Sequence, residues 1–240
     1  LVINDFDFIT AMACKIRRKF SIHWGHQASF HYNETPRPNQ KSLIGEWVLK
    51  HFTSAQLNIG LHFKPYHKNI LPPIIKDHIR YAKPSNQGHI TIYLAQYDHE
   101  EIYRQLKSLT HLKFHVFSGG IKEKITKQNF QFFPLSKECF SHSMIHANGV
   151  ITGGGFETPA EALFLKKRLM VIPIKGQYEQ KCNAEAMREF GVEIIDEIDI
   201  HFGAKVDRFF NESIEFAPKF FEEMSNMEIV DQFMRLSIEA

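Results

Sequence analysis

The segment that most limits how this chain can fold is Val150-Ile-Thr-Gly-Gly-Gly-Phe-Glu-Thr-Pro-Ala-Glu-Ala-Leu163. An apolar strand pattern runs straight into three glycines, and helix-start signals follow at once. Thr158 reads as the N-cap, Pro159 as the first helical residue, and Glu161 completes a capping box with Thr158. Glycines let a backbone come close to a ligand, and the free N–H groups of a helix start attract phosphate. The spacing lacks G-x-G-x-x-G and follows a late strand, so it is not the dinucleotide fingerprint. A tight turn with no ligand is the plainer alternative.

The surrounding sequence carries a β/α rhythm. Strand patterns fall at 89–97, 113–118, 129–134, 149–152, 168–174 and 192–195, with helical stretches at 100–109, 137–147, 159–167 and 180–190. Such alternation predicts an α/β fold, a Rossmann-like domain with a parallel sheet and helices on both sides. Upstream, 1–4 and 20–24 read as strands around a helix at 8–19, a helix could cover 41–53, and 57–63 alternates like a strand. Pro65, Pro72 and Pro73 then break the pattern. The polar stretch 81–88, with Pro84 and Gly88, is the linker candidate. The expected division is therefore 1–80, a linker at 81–88, a domain at 89–213, and C-terminal helices at 214–240 that could cross back to the first domain. Leu1-Val2-Ile3 resembles the inside of a strand, which predicts that chain precedes it.

Charge is uneven. Between residues 11 and 90 there are 12 Lys/Arg against three acids, whereas the whole chain carries only +2. A basic half on an acidic half could meet anionic membrane, a phosphorylated substrate or nucleic acid, or could be a solvated surface. Aromatic-interleaved RNA motifs are lacking, which argues against nucleic acid. Lys15-Ile-Arg-Arg-Lys19 reads as a solvated helix end or an anionic-lipid contact. Three cysteines without paired spacing disfavour a zinc knuckle or disulfide scaffold, so a cytoplasmic setting is expected. His142 and His146 are four apart but lack a third ligand, and no metal is expected.

A second motif, Pro173-Ile-Lys-Gly-Gln-Tyr-Glu-Gln-Lys-Cys-Asn-Ala184, sits at the end of the next strand pattern, the edge where open α/β sheets bind ligands. Its Gln177, Glu179, Gln180 and Asn183 suit sugar hydroxyls, or simply start a polar surface helix. Together the two motifs resemble the donor-binding half of GT-B glycosyltransferases, near the lipid-acceptor N-acetylglucosaminyltransferase of peptidoglycan synthesis. They resemble more closely a branch with T-G-x-G-F-x-T-x-x-E-A-L followed by P-x-x-G-Q-x-E-Q-x-x-N-A. Val2-Ile-Asn-Asp-Phe-Asp7 and Gly25-His26-Gln27 resemble that branch more weakly.

The resemblance implies a GT-B fold, with a partial Rossmann-like acceptor domain ahead of the donor domain. It implies transfer of a sugar from a nucleotide donor, UDP-linked, to a glycan or lipid-linked acceptor, without metal or cofactor, with peripheral contact at the inner face of the cell membrane. Gly153, Gly154, Gly155, Phe156 and Thr158 would surround the diphosphate, and Glu161 would accept the ribose hydroxyls. Gln177, Glu179 and Gln180 would bind the donor sugar with support from Asn183. Phe133, Pro134 and Leu135 would meet the base through backbone groups, with Ser118, Gly119 and Gly120 lining the pocket. Asp5, Asp7 and His26 are the candidates for catalytic base, each with helix capping or loop bonding as the alternative. An epimerase on the same fold, a non-catalytic nucleotide-sugar-binding subunit and a plain nucleotide binder remain as rivals.

Overall fold

The computed structural model describes residues 1–53, 55–211 and 224–239. Its frame is two sheets. The first contains β1 (Val2–Asn4), β2 (Ser21–Gly25), β3 (Leu57–Leu61) and β4 (Ile70–Leu71), parallel throughout and in chain order. Parallel neighbours need crossovers, and α1 (Phe8–Arg17) and α2 (Leu43–His51) supply two of them. A 3-10 segment, His26–His31, leaves the end of β2 directly. β4 and α3 (Asp77–Arg80) fall in the proline-rich stretch, too short for any periodicity to reveal.

The second sheet begins with β5 (His89–Tyr93) and continues through α4 (His99–Leu106), β6 (Lys113–Phe117), β7 (Ile125–Lys127), β8 (Phe130–Phe133), α5 (Lys137–His146) and β9 (Gly149–Thr152). It finishes with α6 (Glu157–Phe164), β10 (Arg168–Val171), α7 (Tyr178–Met187), β11 (Glu193–Ile194) and α8 (Phe202–Asn211). The strand order is β11-β10-β9-β5-β6-β8-β7, and only β7 is antiparallel. Counted from β5, the six parallel strands follow 3-2-1-4-5-6, the doubly wound order. The chain leaves β5 toward β6 on one side and returns to β9 on the other, so a crevice opens where β5 and β9 end. β7 pairs at the outer edge, its three residues exposed and its charge supplied by Lys127, as suits a protected edge.

Core packing follows the strand faces. Ile92, Phe114, Val116, Ile151 and Phe202 fill one side of the second sheet, and Val150, Leu163, Leu169 and Met187 the other. α9 (Asn226–Ile238) opens with a capping box between Ser225 and Glu228 and packs Ile229 and Phe233 on the first sheet. The Phe233 ring stacks on Trp24 at 3.9 Å, and burying such a side chain is worth about 2 kcal/mol. Asn226 exchanges hydrogen bonds with both backbone groups of Ile75. Residues 212–223, which carry the start of the expected C-terminal helices, lie outside the described residues.

The two sheets meet through α2 and α7. The Tyr178 ring lies so close to Gly45 that a Cβ there would stand 2.4 Å from it. The Tyr178 hydroxyl donates to Glu46 Oε1 at 2.7 Å, an oxygen that also accepts from Arg37 Nε at 2.7 Å.

Candidate functional site

The glycine turn joins β9 to α6 at the crevice between β5 and β9. None of its glycines has a positive φ, so their conformation does not require glycine. What they supply is the missing side chain. A Cβ at Gly154 would meet Gln180 O at 2.9 Å, so that glycine admits the α7 backbone. A Cβ at Gly155 would meet nothing within 4 Å. That open space belongs to a cavity of about 290 Å³ lined by Tyr93, Gln96, Thr152, Gly153, Gly155, Phe156, Thr158 and Gln180.

Helix α6 starts earlier than its sequence suggests. Phe156 is the N-cap and makes no side-chain cap bond, so Thr158 lies within the first turn and the expected Thr158–Glu161 capping box does not form. The reason is the next turn: the Glu161 carboxylate, 5% exposed as a residue, turns away to Lys76 Nζ at 2.9 Å. Pro159 at the third helical position has no N–H to lose, while the N–H groups of Glu157 and Thr158 are left uncapped by any side chain. Both residues line the cavity at the positive end of the helix dipole, where an anion is favoured.

Helix α7 braces this turn. Gln180 Oε1 accepts from the N–H groups of Gly154 (3.0 Å) and Ile174 (2.9 Å), and its Nε2 donates to Gln177 Oε1 at 2.6 Å. Gln180 therefore ties the turn to the end of β10. Asn183 is fully buried; its Nδ2 donates to Gly154 O at 3.1 Å and its Oδ1 lies 2.8 Å from His26 Nε2. Glu179 accepts from Gln27 Nε2 at 3.3 Å and stands 3.7 Å from His26 Nε2.

His26, Gln27 and Gly25 come from the end of β2, and they face α6 and α7 across a larger cavity of about 600 Å³. The His26 ring lies parallel to Phe156 at 4.0 Å and its Nδ1 meets Leu61 O at 2.9 Å. Burial pushes the His26 pKa down, against the upward pull of Glu179, the Leu61 carbonyl, Asn183 and Asp5. Asp5 lines the same cavity, and burial and Glu157 raise its pKa while His26 lowers it. The acid drifts up and the imidazole down, toward each other, which suits proton transfer. Asp5 is aimed by a tight turn: Asn4 bonds both backbone groups of Asp7, Phe6 takes φ +50°, and a Cβ on Gly25 would strike Asp5 Oδ1. Asp7 is corrected. Its carboxylate caps α1, accepting from Thr10 N at 2.7 Å, and it does not line the cavity.

At the other end of the crevice, Leu135 is 53% exposed and lines a cavity of about 400 Å³ with Tyr93, Phe140 and Thr158. Tyr93 and Thr158 also line the crevice cavity, so the two are neighbours. Gly119 lies against Leu135, within 3.6 Å of a Cβ placed on it. The Phe133 carbonyl accepts from Ser118 N at 3.1 Å and its ring stacks on Phe117, which fixes the strand end that leads to Pro134 and Leu135. Pro134, next in the chain, is half-buried.

Three residues escaped the sequence reading. Tyr93 and Gln96 flank the end of β5, a strand with no motif of its own; Gln96 donates to Ile172 O while its buried Oε1 has no partner. Lys76 follows two prolines in a segment without periodicity.

Comparison with known proteins agrees with this architecture. The family described as glycosyl transferase family 1 matches residues 1–212. No curated protein sequence matches the chain. Among solved structures, the spinosyn forosaminyltransferase SpnP superposes with a TM-score of 0.62 at 11% identity, over 99% of this chain and 76% of that one. Arabidopsis thaliana UGT89C1 complexed with UDP gives 0.61 at 8% identity, over 98% and 71%. Acinetobacter baumannii MurG gives 0.53 at 11% identity, over 98% and 72%. At such identities these likenesses establish the fold alone, a GT-B arrangement of two Rossmann-like halves.

Proposed function

The chain belongs to glycosyl transferase family 1, and from that premise we propose that it moves a sugar from a UDP-linked donor to an acceptor hydroxyl bound in the cleft between the two sheets. The observation that carries this reading is the uncapped start of α6 beside the bare backbone of Gly155, opening on a cavity at the β5/β9 crevice. A diphosphate there accepts from the Glu157 and Thr158 N–H groups and gains from the helix dipole as its charge grows in the transition state. The UGT89C1 complex holds UDP and the glycosyltransferase VinC complex holds DTDP, both pyrimidine nucleoside diphosphates, and UDP is the one taken here.

The acceptor enters the cavity of about 600 Å³, where Asp5 and His26 stand ready for its proton. One of them takes the proton as the hydroxyl oxygen attacks the anomeric carbon, and the bond to the diphosphate breaks. The helix start contributes to stabilising the leaving group, and turnover on this reading is metal-free. Among the described residues no helix is long and apolar enough to cross a membrane. α1 exposes Ile9 and Ile16 beside Lys15 and Arg17, which favours peripheral contact with an anionic leaflet and a lipid-linked or envelope glycan as acceptor.

The test is calorimetry with UDP and UDP-sugars, followed by turnover with EDTA present. UDP binding that competes with UDP-sugar, and turnover that survives EDTA, are expected. An absence of any nucleotide binding would refute the donor site, and abolition by EDTA would refute the metal-free step. Flotation with anionic vesicles checks the membrane contact, which indifference to lipid charge would exclude.

A further inference from the structure

The donor site proposed above lacks one component. Transfer leaves a nucleoside diphosphate with several negative charges, whereas a helix start supplies only roughly half a positive charge. Among the described residues that line the crevice cavity there is no lysine or arginine, and the larger cleft has a single one, Lys76.

Lys76 belongs to the first half of the chain, yet its ammonium reaches α6 in the second. Nζ lies 2.9 Å from Glu157 Oε2 and 2.9 Å from Glu161 Oε1, on successive turns at the start of the helix. Its backbone is fixed. The Lys76 carbonyl accepts from Ile79 and Arg80 N–H, and the preceding Ile75 is held by Asn226. The side chain, by contrast, is 50% exposed and can change rotamer. A cation is unfavourable at a helix N-terminus, so only the two carboxylates keep it there. Burial pulls its pKa down, but the hydrogen bonds and charges of Glu161 and Glu157 outweigh this and keep it ionised.

Glu157 borders both cavities, so an anion seated on the α6 start comes next to the ammonium. We propose that Lys76 is a positioning residue for the donor: it pairs with Glu157 and Glu161 in the empty cleft and transfers to the diphosphate when a nucleoside diphosphate binds. The transfer frees Glu161 for neutral hydroxyls, so one swing supplies a cation to the phosphates and an acceptor to the sugar ring of the nucleoside. The inference rests on the proposed donor site.

The experiment compares uridine with UDP by calorimetry, on wild type and on Lys76→Met and Lys76→Arg. Lys76→Met should weaken UDP about tenfold or more relative to uridine, the scale of a lost charge-assisted bond. Lys76→Arg should retain most of the preference, and the wild-type preference should shrink as salt is raised. Should wild type bind neither ligand, the donor site and this inference fall together. Should wild type bind UDP while Lys76→Met keeps the same UDP-to-uridine ratio, the donor site stands and Lys76 is only an ion pair between domains. Tighter binding of both ligands by Lys76→Met would make it a mask over Glu161 and also overturn the proposal. If Lys76→Met proves unfolded by thermal melting, the same ratio is read on Lys76→Gln, and a salt-independent wild-type preference overturns the proposal without any variant.

Discussion

His26 Nε2 lies 2.8 Å from Asn183 Oδ1, and the other end of the Asn183 amide donates to Gly154 O. One buried amide thus connects the imidazole at the end of β2 to the glycine turn at the end of β9. The Leu61 carbonyl and Asn183 Oδ1 can both only accept, so the neutral ring, with one N–H, satisfies one of them and turns a bare nitrogen toward the other. A second proton on the ring converts that repulsion into a hydrogen bond. The network therefore favours proton uptake, against the burial that opposes it.

Asn183→Leu removes the acceptor and should lower the His26 pKa further, moving the acid limb of the kcat/KM profile to lower pH and reducing the plateau. Asn183→Asp puts a carboxylate there and should move the limb up. A pH–rate profile indifferent to both would exclude His26 as the group that titrates. Asn183→Leu also orphans the buried Gly154 carbonyl, at a cost of about 2 kcal/mol measurable by urea denaturation.

Acid should destabilise the fold through its buried histidines. Burial, and after it the neighbouring His31, holds the pKa of His23 down at about 4; burial, His51 and Lys50 do the same for His31. Both are near 6.5 when unfolded. Below pH 6.5 the unfolded chain takes up protons that the folded chain refuses, so stability is full above that value and falls until about pH 4. The thermal midpoint should drop across this window, and His23→Gln should make the drop shallower. A midpoint that is flat between pH 6.5 and 4 would contradict the buried neutral assignment.

The fold class was legible because parallel strands buried on both faces leave apolar runs such as 169–172, punctuated by glycines and caps. β7 was not, because Ile125-Thr126-Lys127 buries nothing and depends on its partner strand. α8 could have been found: Phe202, Val206, Phe209 and Phe210 recur at helical spacing and all are buried. At the site, sequence could group Gly153–Gly155 with Gln180 and Asn183, since residue types announce polar chemistry. It could not say which atoms remain free. Glu161 pairs with Lys76 because of a residue 85 positions away, and Asp7 caps α1 while Asp5 lines the cleft because of one φ of +50° at Phe6.

The two glycines at the turn should separate cleanly on substitution. Gly154→Ala drives a Cβ to 2.9 Å from Gln180 O, a contact with backbone that cannot yield easily, and should cost about 2 kcal/mol in denaturation. Gly155→Ala has open space, so its unfolding midpoint should stay near wild type while UDP affinity falls. If Gly155→Ala binds UDP normally, the cavity beside it is not where the diphosphate sits.

Gln180→Ala distinguishes a brace from a sugar contact. The side chain accepts two backbone N–H groups, from Gly154 and Ile174, so removing it leaves both without a partner and lets the glycine turn drift from β10. Binding of UDP itself, which has no sugar beyond its ribose, should therefore weaken severalfold, and stability should fall by about 2 kcal/mol. A residue that only touched the transferred sugar would behave differently, leaving UDP affinity and melting unchanged and altering the preference among UDP-sugars alone. Calorimetry with UDP and with two UDP-sugars on the same variant separates the two roles. Unchanged UDP affinity would show that the turn keeps its shape without Gln180.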